Sequence, residues 1–252
     1  MRLTGAAHTD QGRVRRENQD AYGLSADLGL YLVADGMGGH AGGKRASEEA
    51  TRVVTDAIAA SVGQGQGADR LRAAIERANA RIWELGEADP ALHGMGTTIV
   101  AVLVEGGVAH VAHVGDSRVY RIRGGAMVAL TRDHSYVAEL ADMGVDLADA
   151  SVRARYSSML TRAVGVAPSV EVDVASEPLQ PGDTLLLCSD GVYRMVPADV
   201  LVELVTTSGA DLTAACAAII ARANANGGTD NSTVLLLRAD GPAAPRREPP
   251  TS

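Results

Sequence analysis

Apolar positions change period along the chain, and the changes divide it into blocks. Leu30-Tyr31-Leu32-Val33-Ala34 is a continuous apolar run of strand length that stops abruptly at Asp35-Gly36. Ala46, Ala50, Val53, Val54 and Ala57 then keep helical spacing. Leu71, Ala74, Ile75, Ala78, Ile82 and Leu85 do so again, beyond the Gly/Gln-rich stretch 63–67. Residues 97–130 switch to β-branched and apolar runs at 97–104, 108–114, 118–123 and 126–130. Glu105-Gly106-Gly107, Gly115-Asp116-Ser117 and Gly124-Gly125 separate them, which predicts an antiparallel meander with tight turns.

Ahead of these blocks, residues 3–12 read as a strand and turn, followed by the charged run Arg13-Val14-Arg15-Arg16-Glu17. Residues 131–167 are mixed and polar, an insertion over the sheet. A strand at 183–188 ends in Ser189-Asp190-Gly191. Helices follow near 198–206 and 211–225, with Asp211 as N-cap and Gly227 as C-cap, before a last strand at 233–237. The Pro-rich tail 241–252 is expected to be disordered. Strands and helices are segregated rather than alternating, which predicts an α+β fold of two antiparallel sheets flanked by helices.

The chain has 252 residues, 46% of them hydrophobic, with no Phe and 3% aromatics, so its core must be built from Val, Leu, Ile and Ala. A net charge of −8 disfavours nucleic-acid and anionic-membrane surfaces and suits side chains gathered around divalent cations. Cys188 and Cys216 form neither a disulfide framework nor a zinc pattern, and read as buried thiols of a reducing, cytoplasmic compartment. No secretory pattern follows Met1, and no run of about 18 apolar residues predicts a membrane span.

Asp35, Asp116, Asp190 and Asp230 all fall at strand ends or in the turns beside them, and three have Gly as a neighbour. One such aspartate is ordinarily a turn residue. Several converging would repel one another, and a cation relieves that. Oxygen ligands with few histidines point to magnesium or manganese rather than zinc. Rival chemistries fare worse. Gly38-x-x-x-x-Gly43-Lys44 imitates a phosphate-binding loop, but Arg45 stands where Ser or Thr should reach magnesium. Gly115-Asp116-Ser117 suggests a serine hydrolase, yet no histidine follows His134 to serve as base. His110 and His113, three apart on a strand, point to opposite faces.

Arg15-x-x-Asn18-x-Asp20, Asp35-Gly36-Met37-Gly38-Gly39-His40, Gly115-Asp116-Ser117-Arg118, Asp133-His134-Ser135, 160–165 (Leu-Thr-Arg-Ala-Val-Gly), Ser189-Asp190-Gly191 and Asp230-Asn231-Ser232 occur in that order. Together they resemble the metal-dependent protein phosphatases, the PPM or type 2C serine/threonine class in its bacterial form, over residues 3–238. The resemblance implies an αββα sandwich with a catalytic domain over 1–240 and a flap over 134–165 beside the metal cleft. It implies two core manganese or magnesium ions. Asp35 would bridge them, the Gly36 carbonyl would bind one, Asp190 and Asp230 the other, and Asp20 would act through water. Asp116, with Asp190, would hold a third, weaker ion. Arg15 would grip the substrate phosphate, and either His40 or a metal-bound water would protonate the leaving oxygen. The implied reaction is direct in-line attack of a metal-bound water or hydroxide on phosphoserine or phosphothreonine, without phosphoenzyme. Its implied partners are phosphorylated proteins and an opposing serine/threonine kinase, with the enzyme a monomer. Three departures stand out: Gln19 replaces a common Glu, Arg155-Tyr156-Ser157-Ser158 replaces a His-containing flap stretch, and His40 is displaced from the position after Asp-Gly.

Overall fold

The computed structural model describes residues 1–145, 156 and 159–241, apart from the side chains of 39–41. The middle of the expected flap and nearly all of the expected tail lie outside these residues. In chain order the elements are β1 (Arg2–Asp10), β2 (Asp20–Ser25), β3 (Leu30–Met37), α1 (Gly39–Ala60), α2 (Gly67–Ala88), β4 (Gly96–Thr97), β5 (Ile99–Glu105), β6 (Val108–Val114), β7 (Arg118–Arg123) and β8 (Ala126–Ala129). They continue with α3 (Tyr136–Asp142), β9 (Asp173–Pro178), β10 (Thr184–Cys188), α4 (Asp190–Tyr193), α5 (Ala198–Thr207), α6 (Leu212–Ala225) and β11 (Ser232–Asp240).

One sheet has the order β1-β11-β10-β7-β8, the other β2-β3-β5-β6-β9, with β4 beside β3. All these pairings are antiparallel. Period-2 alternation sorts the core into three layers. Leu30 and Leu32 pack under α1 and α2, while Tyr31 and Val33 point into the space between the sheets. In the facing sheet Leu185 and Leu187 point inward and Leu186 and Cys188 face α5 and α6. Both faces of the central strands are covered, so their sequences are continuously apolar although the sheets are antiparallel.

The expected meander is corrected. β5 and β6 pair, but β7 joins the opposite sheet beside β10. The turn 115–117 is therefore a crossing between sheets. Gly115 has φ 101°, and a Cβ there would lie 2.7 Å from the Thr98 side chain. Two strands escape the periodicity reading, β2 and β9. Both are only partly buried, and neither shows a clean alternation of apolar residues. The glycines after Gly38 are not a loop, because α1 already starts at Gly39.

Candidate metal centre

Antiparallel pairing brings the acidic residues to one end of the sandwich. β2 begins where β3 ends, with Asp20 directly opposite Asp35. β11 begins where β10 ends, which sets Asp230 near Asp190. β6 runs parallel to β3 through β5 and delivers Asp116 to the same end. Asp35, Gly36, Asp116, Asp190 and Asp230 line a cleft of about 560 Å³, with Arg15 and Arg194 in its wall. Asp20 is buried beside it.

Hydrogen bonds fix these carboxylates without neutralising them. The Asp35 N–H donates to Thr98 Oγ1 at 3.1 Å, and that hydroxyl lies 2.7 Å from Ser117 Oγ in the crossing turn. Ser189 Oγ donates to Asp20 Oδ2 at 2.7 Å while accepting from the Thr233 N–H. Asn231 holds the Arg15 loop: its Nδ2 donates to the Gln11 and Glu17 carbonyls, and its Oδ1 accepts from the Gln19 N–H. Gly36 admits no side chain, since a Cβ would lie 2.1 Å from the Gly43 carbonyl oxygen.

Burial is the main cause of the electrostatic strain. It raises Asp35 well above the usual carboxylate range, with Asp20, Asp190, Asp116 and Asp230 adding repulsion. Asp20 is pushed up to about 6, chiefly by burial, against the Ser189 hydrogen bond. Asp190 is pushed up to about 7 by burial, against the pull of Arg194. Asp116 is raised by burial and held back by the same arginine. Asp20 Oδ1 and Asp190 Oδ1 are buried with no hydrogen-bond partner. Hard oxygen donors in excess of their counter-charges, two of them unsatisfied, fit a divalent cation.

Of the arginines lining the cleft, Arg15 and Arg194 pair with its carboxylates. Arg15, half-exposed at the mouth, places Nη2 2.6 Å from Asp230 Oδ2. Arg194 places Nη2 3.1 Å from both Asp116 Oδ2 and Asp190 Oδ2. Reading the sequence missed Arg194, although an acid followed by a base four residues later was a usable signal. The His40 side chain lies outside the described residues. Gln19 lines the cleft.

Another group among the described residues, His113, His134 and Asp173, brings its ligand atoms within 4.8 Å of one another. Most of its polar atoms are already engaged. The Gly115 N–H donates to His134 Nδ1, which leaves that ring's proton on Nε2, facing Asp173. Arg162 donates to Asp173 Oδ1 at 2.8 Å, and His113 Nε2 bonds the Arg132 carbonyl. The rings stack at 4.6 Å and burial lowers both pKa values. The trio is a hydrogen-bonded network that props the Gly115 turn from behind.

The comparisons with known proteins agree with this geometry. A family model for "Protein phosphatase 2C" matches residues 4–226. The serine/threonine phosphatase stp of Listeria monocytogenes is 39% identical over 238 residues, 92% of this chain and 94% of that protein. The crystal structure of the Mycobacterium tuberculosis serine/threonine phosphatase PstP/Ppp superposes with TM-score 0.87 at 32% identity, covering 95% of this chain and 99% of that one. The PstP catalytic domain in complex with two manganese ions superposes with TM-score 0.85 at 32% identity, covering 95% and 99%. Two helix-flanked antiparallel sheets, an acidic cleft at their shared end and these matches make the chain a serine/threonine protein phosphatase of the protein phosphatase 2C family.

Proposed function

We propose that the cleft holds two divalent cations, manganese or magnesium, on Asp35, the Gly36 carbonyl, Asp190 and Asp230, with Asp20 acting through water. The reaction is hydrolysis of phosphoserine and phosphothreonine by direct in-line attack of water. The observation that carries this reading is the set of buried, mutually repelling carboxylates with two unpartnered oxygens. The two manganese ions of the PstP catalytic domain support the count. When bound, the ions activate water and offset charge on the phosphoryl oxygens.

The chain's own residues do the rest. Asp35 and Asp20, anchored through Thr98 and Ser189, hold their positions on rigid strand ends. Arg15 exchanges its Asp230 contact for the substrate phosphate, which its forked donors suit. The fully buried Cys188 plays no part as nucleophile, because burial pushes its thiol up to about 12. Protonation of the leaving oxygen falls to His40 or to water. In this reading residues 1–240 are the catalytic domain, the substrates are phosphorylated proteins, and a serine/threonine kinase opposes the enzyme, a cytoplasmic monomer.

The test uses a ³²P-phosphothreonine peptide with manganese, quenched in acid during the first turnovers. Label should leave only as inorganic phosphate, and a chelator should abolish release. Acid-stable label on the protein, or chelator-resistant turnover, would overturn the reading.

A further inference from the structure

Arg194 occupies the place where the resemblance puts a third cation. Its Nη2 spans Asp116 Oδ2 and Asp190 Oδ2 at 3.1 Å each, so one guanidinium nitrogen bridges the two carboxylates. The Arg194 N–H bonds the Asp190 carbonyl at 3.0 Å, and this turn carries the guanidinium back over the Asp190 side chain. Tyr193 OH donates to the same Asp116 Oδ2 at 3.2 Å. The Tyr193 ring is held by the Arg118 guanidinium, 3.6 Å from its centroid, and Arg118 is clamped to Asp133 by two 2.8 Å hydrogen bonds. The Asp116 side chain is 7% exposed and Asp190 13%, so each oxygen given to Arg194 is hard to offer to anything else.

We propose that Arg194 is a resident cation that replaces the third metal ion, so that this phosphatase works with two ions. The inference rests on the two-ion reading of the cleft. A divalent ion binding Asp116 and Asp190 through these oxygens would have to expel a guanidinium that already pairs with both. If it entered without expelling the arginine, it would sit within a few ångströms of a like charge in a partly buried site. Arginine stays charged at every working pH, so the substitution is permanent rather than set by metal supply. It also stabilises charge without supplying a proton, leaving the leaving-group proton to other groups of the cleft.

Counting bound manganese on the full chain tests the proposal, by calorimetry and by electron paramagnetic resonance of the free ion. Wild type should saturate at two ions. Arg194→Met keeps the length and removes the charge, and should bind a third ion under conditions where wild type holds two. Arg194→Gln, a second variant in case the first folds poorly, should behave alike. Asp116→Ala added to either should abolish the new site. Three ions on wild type, or two on both folded Arg194 variants, would overturn the proposal. A wild-type protein that binds no manganese would overturn the two-ion centre and this inference with it.

Discussion

Replacing Asp20 with asparagine should stabilise the metal-free protein at alkaline pH and weaken its stabilisation by metal. Asp20 is buried, and its pKa is pushed up to about 6 from an ordinary 3.8. Between those values the native state holds a proton that the unfolded chain has released, so stability falls as pH rises; above about 6 the whole penalty applies. A rise of that size corresponds to about 3 kcal/mol at 1.36 kcal/mol per pH unit. Asparagine keeps an oxygen for the Ser189 hydroxyl, and its amide nitrogen takes the place of the unpartnered Oδ1. An imperfectly satisfied amide costs about 1–2 kcal/mol, so the net gain is about 1–2 kcal/mol. In a chain of this length that raises Tm by about 2–8 °C. The assay is thermal unfolding of wild type and Asp20→Asn in chelator at pH 4 and pH 8, repeated with excess manganese. The gain should be present at pH 8 and absent at pH 4. Manganese should stabilise wild type more than the variant. An equal gain at both pH values, or none at pH 8, would refute the claim that burial of this charge strains the cleft.

Arg15→Ala should chiefly raise KM for phosphopeptides. A lost charge-assisted contact of about 1.5–3 kcal/mol lowers kcat/KM about 10- to 150-fold, and steady-state kinetics would reassign Arg15 if they stayed at wild-type values. A thiol alkylator should leave the native enzyme active, because both cysteines are buried and their thiols are pushed up to about 12; rapid inactivation would show otherwise. His134→Phe strands the buried Gly115 N–H and should cost about 1–3 kcal/mol by denaturant unfolding, whereas His134→Asn, which offers an acceptor near Nδ1, should recover part of it. Equal losses would deny that hydrogen bond its role.

The residues that carry chemistry were legible because they sit where patterns break. An apolar strand ending in Asp35-Gly36, and further aspartates in glycine turns, announce a charged rim on a buried scaffold. The segregation of helices from strands showed the layers. The partner of each strand was not legible. Gly115-Asp116-Ser117 reads as a hairpin turn, and only the packing of Gly115 against Thr98 reveals a crossing between sheets. β2 and β9 stayed hidden because partial burial leaves them a mixed pattern. The His113–His134 stack joins residues that local periodicity cannot relate. Arg194 was within reach, four residues after Asp190, but its second partner, Asp116, is supplied by the opposite sheet.

The most direct test is anomalous diffraction at the manganese edge from crystals grown with manganese. Two peaks should appear against Asp35, one also near the Gly36 carbonyl and the other near Asp190 and Asp230, with the Arg194 guanidinium still between Asp116 and Asp190. Peaks confined to the His113–His134–Asp173 cluster, or a cleft free of anomalous signal in manganese-activated enzyme, would contradict the account.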